Sequence, residues 1–382
     1  MKGIIALIGA LAVAACSGKA AVSVADPETP VTNTTEFIFV TSLIESNGAG
    51  AENLLLFEKS SSSCSLTHIN TYNVGADPYD LVYHRSTSSL YVANMSGPTI
   101  SAFKFNTSTK QLTSVATVTQ VSPPATTALP FMMAVHPNGF LYSVDGNSTT
   151  SSIGYFTQTQ STGAIAQFAN PNEYLATGAG TRAWFIALTG NHVYVTDYAG
   201  NRVLQYNVNT TTGQLTEFGT RENTGTQPWS IFVHPTGNYV YTANSGAGTV
   251  SQFSRNTTTG QLSQIAAPLA AGGQTIGLAV GTRYLFAGGN GQSRIYQYSI
   301  NQSTGALTAH GTPNPYVSTV RPNPYGLALS RDENCLYAAE LTGNDGNSAN
   351  DEIGIYSVSD GILTRQGSIS GGIGPRFFAL AY

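Results

Sequence analysis

Short apolar stretches separated by turn residues run along nearly the whole chain after residue 35, and they recur in groups of four. The clearest group contains the runs 228–233, 239–244 and 249–253, and it continues after the turn Thr259-Gly260. Each run alternates between apolar and polar positions or is apolar over about five residues, which is typical of short antiparallel strands. One repeat therefore predicts a sheet of four short strands.

Several features of this repeat recur along the chain. The opening strands begin at Pro78-Tyr79, Pro130-Phe131, Ala183-Trp184, Pro228-Trp229, Gln274-Thr275, Pro324-Tyr325 and Pro375-Arg376. Second strands carry an aromatic residue at Tyr91, Tyr142, Tyr194, Tyr241, Phe286 and Tyr337. The turn into the fourth strand has a glycine at Gly163, Gly213, Gly260, Gly305 and Gly361. The repeat length is close to the roughly 40–50 residues of β-propeller blades.

The two ends of the chain complement each other. The last opening strand, residues 376–382, has no strands after it, whereas the chain start offers three strands without an opener, at 37–40, 54–57 and 66–69. Pairing of the two ends would close a ring and leave only short sheet edges. The pattern predicts an all-β, seven-bladed β-propeller over 36–382, with four antiparallel strands per blade. A β-solenoid and a WD-type propeller fit less well, because of the split repeat and the missing Trp-Asp pairs.

The first residues indicate export. Lys2 precedes the apolar run 4–13, which is too short to span a bilayer and is typical of a secretory signal over residues 1–15. Ala14-Ala15-Cys16 resembles the lipobox of bacterial lipoproteins, which implies lipidation of Cys16, whereas an ordinary signal peptide with a chance cysteine is the alternative. Residues 16–35 read as a flexible tether. The expected location is the cell envelope, anchored in the membrane; Ser17, by the same resemblance, favours the outer membrane, with a periplasmic or surface orientation.

The composition limits the classes of partner that we expect the protein to bind. Charged residues make up 9% of the chain and the net charge is −4, so the sequence carries no electrostatic footprint for nucleic acid. Of the three cysteines, Cys64 and Cys335 remain once Cys16 is acylated, and they form a disulfide or stay as free thiols. No metal-ligand spacing is found among the histidines, and we expect no cofactor and a monomer.

The segments His136-Pro137-Asn138-Gly139 and His234-Pro235-Thr236-Gly237, with Tyr241-Thr242-Ala243-Asn244, resemble the lactonase-type seven-bladed propeller family. This family includes 6-phosphogluconolactonases and carboxymuconate-lactonizing enzymes, together with exported members of no assigned activity. The resemblance implies a metal-independent site of His, Arg and Glu at the channel mouth. Glu340 in Ala339-Glu340-Leu341 matches the acid, while Gly374-Pro375-Arg376 matches an Arg segment in which Phe377 replaces the histidine.

Candidate binding residues follow from the blade register. The ends of the second strands bring one position per blade towards the channel mouth: Ser42, Asn94, Asp145, Asp197, Asn244, Gly289 and Glu340. Such polar groups either bind a ligand or satisfy turn backbone groups. Trp184 and Trp229, with Tyr79, Phe131 and Tyr325, offer an aromatic floor or pack between blades. Arg182 and Arg202 flank the third blade, and either hold an anion or are surface charge.

Two functions follow. The first is a lipid-anchored module that binds a small molecule or a protein at the propeller face. The alternative is a lactone hydrolase in which Glu340 is the general base and Arg376 or Arg202 stabilises the oxyanion.

Overall fold

The computed structural model describes residues 35–42, 53–122, 126–145, 151–168, 174–178, 180–290, 293–311, 316–317, 323–342 and 351–382. The predicted signal peptide 1–15, Cys16 and the tether up to residue 34 lie outside the described residues. Within the described part, one short 3-10 turn, Arg85–Thr87, interrupts the strands, and no helix there is long and apolar enough to cross a membrane.

The described strands form seven antiparallel sheets of at least four strands, and these are the blades of a propeller. In chain order the strands are β1 (Phe37–Ser42), β2 (Leu54–Lys59), β3 (Leu66–Tyr72), β4 (Pro78–His84), β5 (Ser89–Asn94), β6 (Thr99–Asn106), β7 (Gln111–Thr119), β8 (Val121–Ser122), β9 (Thr126–Thr127), β10 (Pro130–Val135), β11 (Phe140–Asp145), β12 (Ser152–Gln158), β13 (Ile165–Gln167), β14 (Tyr174–Ala176), β15 (Ala183–Thr189), β16 (His192–Asp197), β17 (Arg202–Val208), β18 (Leu215–Glu217), β19 (Glu222–Asn223), β20 (Pro228–Val233), β21 (Tyr239–Asn244), β22 (Thr249–Arg255), β23 (Leu262–Ala270), β24 (Gln274–Val280), β25 (Tyr284–Asn290), β26 (Arg294–Ile300), β27 (Leu307–Ala309), β28 (Tyr316–Val317), β29 (Asn323–Leu329), β30 (Cys335–Leu341), β31 (Glu352–Ser359), β32 (Ile362–Ser370) and β33 (Pro375–Ala381).

Blades 1 to 6 each follow the chain from the innermost strand outwards. Their first four strands are β4–β7, β10–β13, β15–β18, β20–β23, β24–β27 and β29–β32. The short strands β14, β19 and β28 extend blades 2, 3 and 5. Innermost strands contact the innermost strands of both neighbours, since β10 packs against β4 and β15, and β33 against β29 and β4.

Blade 7 joins the two ends of the chain, in the order β3-β2-β1-β33. The register runs from Phe37 opposite Ala381 to Val40 opposite Phe378, and Ser42 lies opposite Pro375. Because β33 pairs along β1, neither strand leaves a free edge there. The predicted seven-bladed ring, closed by the C-terminal strand, is therefore confirmed.

A tyrosine in the second strand links each of five blades to the next. Its hydroxyl donates to a carbonyl in the turn before the fourth strand of the following blade: Tyr91 to Gly163, Tyr142 to Gly213, Tyr194 to Gly260, Tyr241 to Gly305 and Tyr337 to Cys64. The turn glycines have positive φ, for example +77° at Gly260, where a Cβ would lie 2.0 Å from the His192 ring. The recurring tyrosines and glycines of the sequence thus form one repeated contact between blades.

The boundary between blades 6 and 7 carries a covalent bond. A disulfide joins Cys64, in the turn between β2 and β3, to Cys335, the first residue of β30, with their Cα atoms 5.4 Å apart. The two residues are 271 positions apart in the chain. The bond therefore ties the blade that contains both chain ends to its neighbour.

Charged groups surround the same boundary. Lys59 lies 3.2 Å from Asp332, and the backbone N–H of Arg331 donates to Glu36 at 2.8 Å. Glu36 is 7% exposed, and burial raises its pKa to about 7. Tyr382 lies between two guanidinium groups, those of Arg85 and Arg331, each 4.2 Å from its ring centroid. These contacts fix the start of β1 and the end of β33 against blades 1 and 6.

Candidate functional site at the start of the innermost strands

The predicted positions at the ends of the second strands share one level of the propeller. Each lies opposite the residue that opens the innermost strand: Asn94 and Pro78, Asp145 and Pro130, Asp197 and Ala183, Asn244 and Pro228, Gly289 and Thr275, Glu340 and Pro324, Ser42 and Pro375. In blade 5 the opening strand begins at Gln274, as predicted, and the residue that faces Gly289 is the second one, Thr275.

A β-bulge follows the opener in all seven blades and re-aims the next side chain. The side chains at this position come from neighbouring innermost strands, and we call them the channel-end ring: Tyr79, Phe131, Trp184, Trp229, Ile276, Tyr325 and Arg376. Ring centroids are 4.2 Å apart for Tyr79 and Phe131, 4.5 Å for Phe131 and Trp184, and 4.9 Å for Trp184 and Trp229. These buried rings thus form a continuous run of aromatic contacts over blades 1 to 4.

Arg376 packs against one end of this run. Its guanidinium carbon lies 5.1 Å from the centroid of the Tyr79 ring. Phe377, the residue in place of the family's histidine, also contacts Tyr79, at 5.1 Å between centroids. Arg376 is half-buried, so the ring has a cation at one end of its aromatic run.

Arg182 supplies a second cation, in blade 3 of the run. Its guanidinium carbon lies 4.3 Å from the Trp184 centroid and 5.3 Å from the Tyr198 centroid. Tyr198 in turn contacts both indoles, at 5.3 Å from Trp184 and 5.7 Å from Trp229. Burial lowers the pKa of Arg182. Tyr198 is not among the predicted site residues, although it directly follows the predicted Asp197 and belongs to an apolar-aromatic stretch.

Asp197 is fully buried, and its carboxylate forms hydrogen bonds within its own blade. Its Oδ1 atom accepts the backbone N–H groups of Arg182 and Gly200, both at 2.9 Å, and its Oδ2 atom lies 2.9 Å from Nε of Arg202. Asp197 therefore fixes the backbone at Arg182 and pairs with Arg202, while the Arg182 side chain projects over Trp184.

The side-chain amides of Asn94 and Asn244 also form hydrogen bonds within their own blades. Asn94 Nδ2 donates to Ser101 at 2.9 Å, and Asn244 Nδ2 donates to Ser251 at 2.8 Å. Both side chains are fully buried. Asp145 accepts the backbone N–H of Leu129 at 3.2 Å. Asn94 and Asn244 thus link the second strand of their blades to the third, and Asp145 holds the residue that precedes β10.

Glu340 lies over the outer strands of blade 6. Its carboxylate is fully buried, accepts the hydroxyl of Tyr356, and lies 3.3 Å from an Nη atom of Arg365. The same Arg365 nitrogen lies 2.8 Å from Glu352. The three predicted catalytic side chains thus have separate partners: Glu340 has Arg365, Arg202 has Asp197, and Arg376 lies on Tyr79. Tyr356 and Arg365 gave no signal in the sequence.

Three histidines lie at the far ends of the innermost strands, and two of them, His136 and His234, precede a proline. Each contacts the next blade: His84 contacts Gln158 at 2.6 Å, His136 contacts Asn191 at 3.2 Å, and His234 contacts the Thr282 carbonyl at 2.9 Å. Burial lowers the pKa of all three. Within the described ranges, no three His, Cys, Asp or Glu side chains gather as a metal site.

Comparison with known proteins supports the fold. The family model described as lactonase, 7-bladed beta-propeller matches residues 133–280. A proposed 6-phosphogluconolactonase from Bacteroides uniformis superposes with a TM-score of 0.75 at 16% identity, covering 91% of this chain and 99% of its own. The periplasmic gluconolactonase of Pseudomonas aeruginosa superposes with a TM-score of 0.70 at 14% identity, covering 91% and 99%.

A second Bacteroides structure agrees. A proposed 6-phosphogluconolactonase from Bacteroides fragilis has a TM-score of 0.71 at 16% identity, and the match covers 94% of this chain and all of the other. No curated protein matches the sequence. Identities this low show the fold alone. The chain is a seven-bladed β-propeller that resembles the lactonase type, and the family resemblance that its motifs predict is confirmed.

Proposed function

We propose that this protein is an exported, lipid-anchored binding module that holds a small ligand at the channel-end ring. The observation that carries the proposal is the continuous run of buried aromatic side chains Tyr79, Phe131, Trp184 and Trp229, with Arg376 on Tyr79 at one end and Arg182 on Trp184 in blade 3. Small-molecule sites are mostly apolar surfaces with a few oriented polar groups, which is the composition of this ring.

Two features support the proposed export. The Ala14-Ala15-Cys16 segment has the residue types of a lipoprotein cleavage site. The Cys64–Cys335 disulfide is a bond of oxidising compartments, such as the periplasm or the cell surface. A lipid anchor at Cys16 followed by a tether would hold the propeller close to the membrane, with the outer membrane as the proposed location.

Lactone hydrolysis is the second candidate, and the likeness to the lactonase model over residues 133–280 favours it. A general base needs a carboxylate within reach of the attacking water. Glu340 is fully buried and engaged by Tyr356 and Arg365, so catalysis would require this carboxylate to leave both partners. Ligand binding at the channel-end ring leaves Glu340 with both partners, and we therefore rank the binding module first.

One titration separates the two candidates, because Trp184 and Trp229 are the only tryptophans in the chain and both lie in the ring. We would follow tryptophan fluorescence while adding D-glucono-1,5-lactone, gluconate or glucose, and measure acid release from the lactone in parallel. A binding module gives a saturable fluorescence change with at least one probe, and acid release at the protein-free rate.

Faster acid release that Glu340→Gln abolishes, in a variant that remains folded by circular dichroism, would favour the enzyme. A flat fluorescence titration with all three probes would count against the ring as a site for sugar-type ligands. Arg283→Gln is the matched control, since Arg283 is exposed and lies in the turn between β24 and β25, at the opposite ends of the strands.

The anchor is tested separately by metabolic labelling with an alkyne fatty acid in the native host. Cys16→Ser should abolish the label and release the propeller from the membrane fraction, while Cys64→Ser should keep the label. Label retained in Cys16→Ser would refute lipidation at this residue, and protease treatment of whole cells would report the orientation of the domain.

A further inference from the structure

We propose that the part of the channel-end ring in blades 3 and 4 binds a carboxylate-bearing ligand, with the Arg182 guanidinium and the indole N–H groups of Trp184 and Trp229 as its hydrogen-bond donors. We call Arg182, Trp184, Tyr198 and Trp229 the Arg182 cluster. This inference rests on the proposed function, because it names the ligand class of the same site.

The charge of Arg182 lacks a counter-ion. Arg182 is half-buried, and among the described residues no carboxylate forms an ion pair with its guanidinium. Asp197 lies opposite Ala183, and its carboxylate already accepts hydrogen bonds from the Arg182 backbone N–H and from the Arg202 side chain. Removing an unpaired charge from water is unfavourable, and a ligand anion would compensate that cost.

The same cluster has donors without acceptors. Trp184 Nε1, Trp229 Nε1 and Arg182 Nε are all inaccessible to water, and none has a hydrogen-bond partner in the described part of the chain. Trp184 is 5% exposed and Trp229 is 1% exposed. Buried donors without partners are rare in proteins, so three of them around one pair of rings indicate a site whose acceptor comes from outside.

A carboxylate matches this set of groups. It accepts hydrogen bonds through two oxygens and donates none when ionised, and it pairs with the planar guanidinium in a bidentate manner. The faces of Trp184, Tyr198 and Trp229 suit a ligand whose carboxylate is attached to a ring or another apolar group. A cationic ligand is disfavoured because Arg182 itself occupies the aromatic faces.

Entry of the ligand would involve Arg182 and Tyr198, the two half-buried members of the cluster. A shift of the guanidinium away from the face of Trp184 would open the indole N–H groups while keeping the charge at the edge of the site. Arg182 is therefore expected to determine specificity for the anion, and the two tryptophans to determine affinity for the ring.

The test uses the full chain and three probes of one shape: benzoate, benzamide and benzylammonium. Each is titrated at constant ionic strength, with tryptophan fluorescence and calorimetry as readouts. We expect benzoate to bind about tenfold more tightly than benzamide, in keeping with a charge-assisted hydrogen bond. Arg182→Gln should remove this preference, Arg182→Lys should keep part of it, and Arg283→Gln should leave it unchanged.

Equal affinity for benzoate and benzamide, or tighter binding of benzylammonium, would refute the assignment of a carboxylate-bearing ligand. Either result would leave the proposed ligand site itself intact. If none of the three probes changes the fluorescence or releases heat, and if lactone, gluconate and glucose also leave the fluorescence unchanged, the proposed site is overturned as well. If Arg182→Gln does not fold, salt gives the second readout. Added sodium sulfate should weaken benzoate binding by the wild-type protein and leave benzamide binding unchanged, and equal effects on both would refute the inference.

Discussion

Trp184 and Trp229 meet edge to face across the boundary between blades 3 and 4, with their ring centroids 4.9 Å apart and their planes at 73°. This geometry places the partly positive edge of one ring against the partly negative face of the other. The pair thus contributes to the packing of two blades and, in the proposal above, to the ligand site. The two roles are separable, since packing is measured in the free protein.

Trp229→Ala should destabilise the free protein by about 3–5 kcal/mol, because it leaves a cavity at a position that is 1% exposed. Urea unfolding followed by far-ultraviolet circular dichroism measures this change. Trp229→Phe, which keeps an aromatic ring, should cost less. Ile362→Ala is the control, since Ile362 is 36% exposed and its truncation should change stability by less than about 0.5 kcal/mol. Equal losses for Trp229→Ala and the control would contradict the packing described here.

Breaking the Cys64–Cys335 disulfide should lower the free energy of unfolding by about 2–4 kcal/mol, because the bond restricts the unfolded chain over a long loop. Unfolding is measured with and without reductant on the wild type and on the double variant Cys64→Ser with Cys335→Ser. Reductant should destabilise the wild type and leave the double variant unchanged. A wild type that is indifferent to reductant, with the bond shown to be reduced by mass, would contradict this expectation.

The ionisation of Glu36 predicts a pH dependence of stability. Burial raises the pKa of Glu36 from 4.5 to about 7 in the folded protein, so between these values the native state holds a proton that the unfolded state has lost. The free energy of unfolding should therefore fall as pH rises from about 4.5 to 7, by about 1.4 kcal/mol per unit of pKa difference. Below and above this window the Glu36 contribution is constant.

Glu36→Gln removes this contribution and still offers an oxygen to the Arg331 N–H. The difference in stability between the variant and the wild type should therefore grow in favour of the variant across the window, as urea unfolding at several pH values would reveal. Parallel stability curves for the two proteins would show that Glu36 does not titrate in this range.

The sequence predicted the ring of blades well because repetition is a local signal. Openers such as Pro228-Trp229 and turns such as Thr259-Gly260 recur whatever their neighbours are, and the split repeat dictates closure by β33. In blade 5 the strand begins at Gln274, as predicted, but the position of the bulge was not evident, because Thr275-Ile276 has neither a proline nor an aromatic ring to mark it. Its register depends on pairing with Gly289, which is a tertiary property.

The direction of the side chains at the candidate site could not be predicted from the sequence. Position in the repeat put Glu340 at the level of the channel mouth, but Arg365 and Tyr356, which hold its carboxylate, lie on strands whose alignment the repeat does not determine. Likewise, Asp197 is adjacent to Tyr198 and close to Arg182, and only the folded register reveals that its carboxylate pairs with Arg202. The uncompensated charge of Arg182 therefore became evident only in the structure.

The contact of Arg365 with Glu340 predicts an asymmetry between the two partners. Arg365→Met should destabilise the protein by about 3–5 kcal/mol, because it leaves a fully buried carboxylate without its cation, whereas Glu340→Gln should cost less. A double-mutant cycle by urea unfolding measures the coupling. Arg283→Gln, which removes an exposed ion pair with Asp360, should have no measurable effect. Equal costs for the two blade 6 substitutions would contradict the buried pair.

The pairing of β1 with β33 also affects how the protein is made. Synthesis begins at the amino end, so β1 keeps a bare hydrogen-bonding edge until residues 375–381 have been translated. During that interval the nascent chain is exposed to association with other unfinished chains. A nonsense mutation that removes only these final residues would therefore yield a permanently open molecule, prone to aggregate, rather than a slightly shortened one.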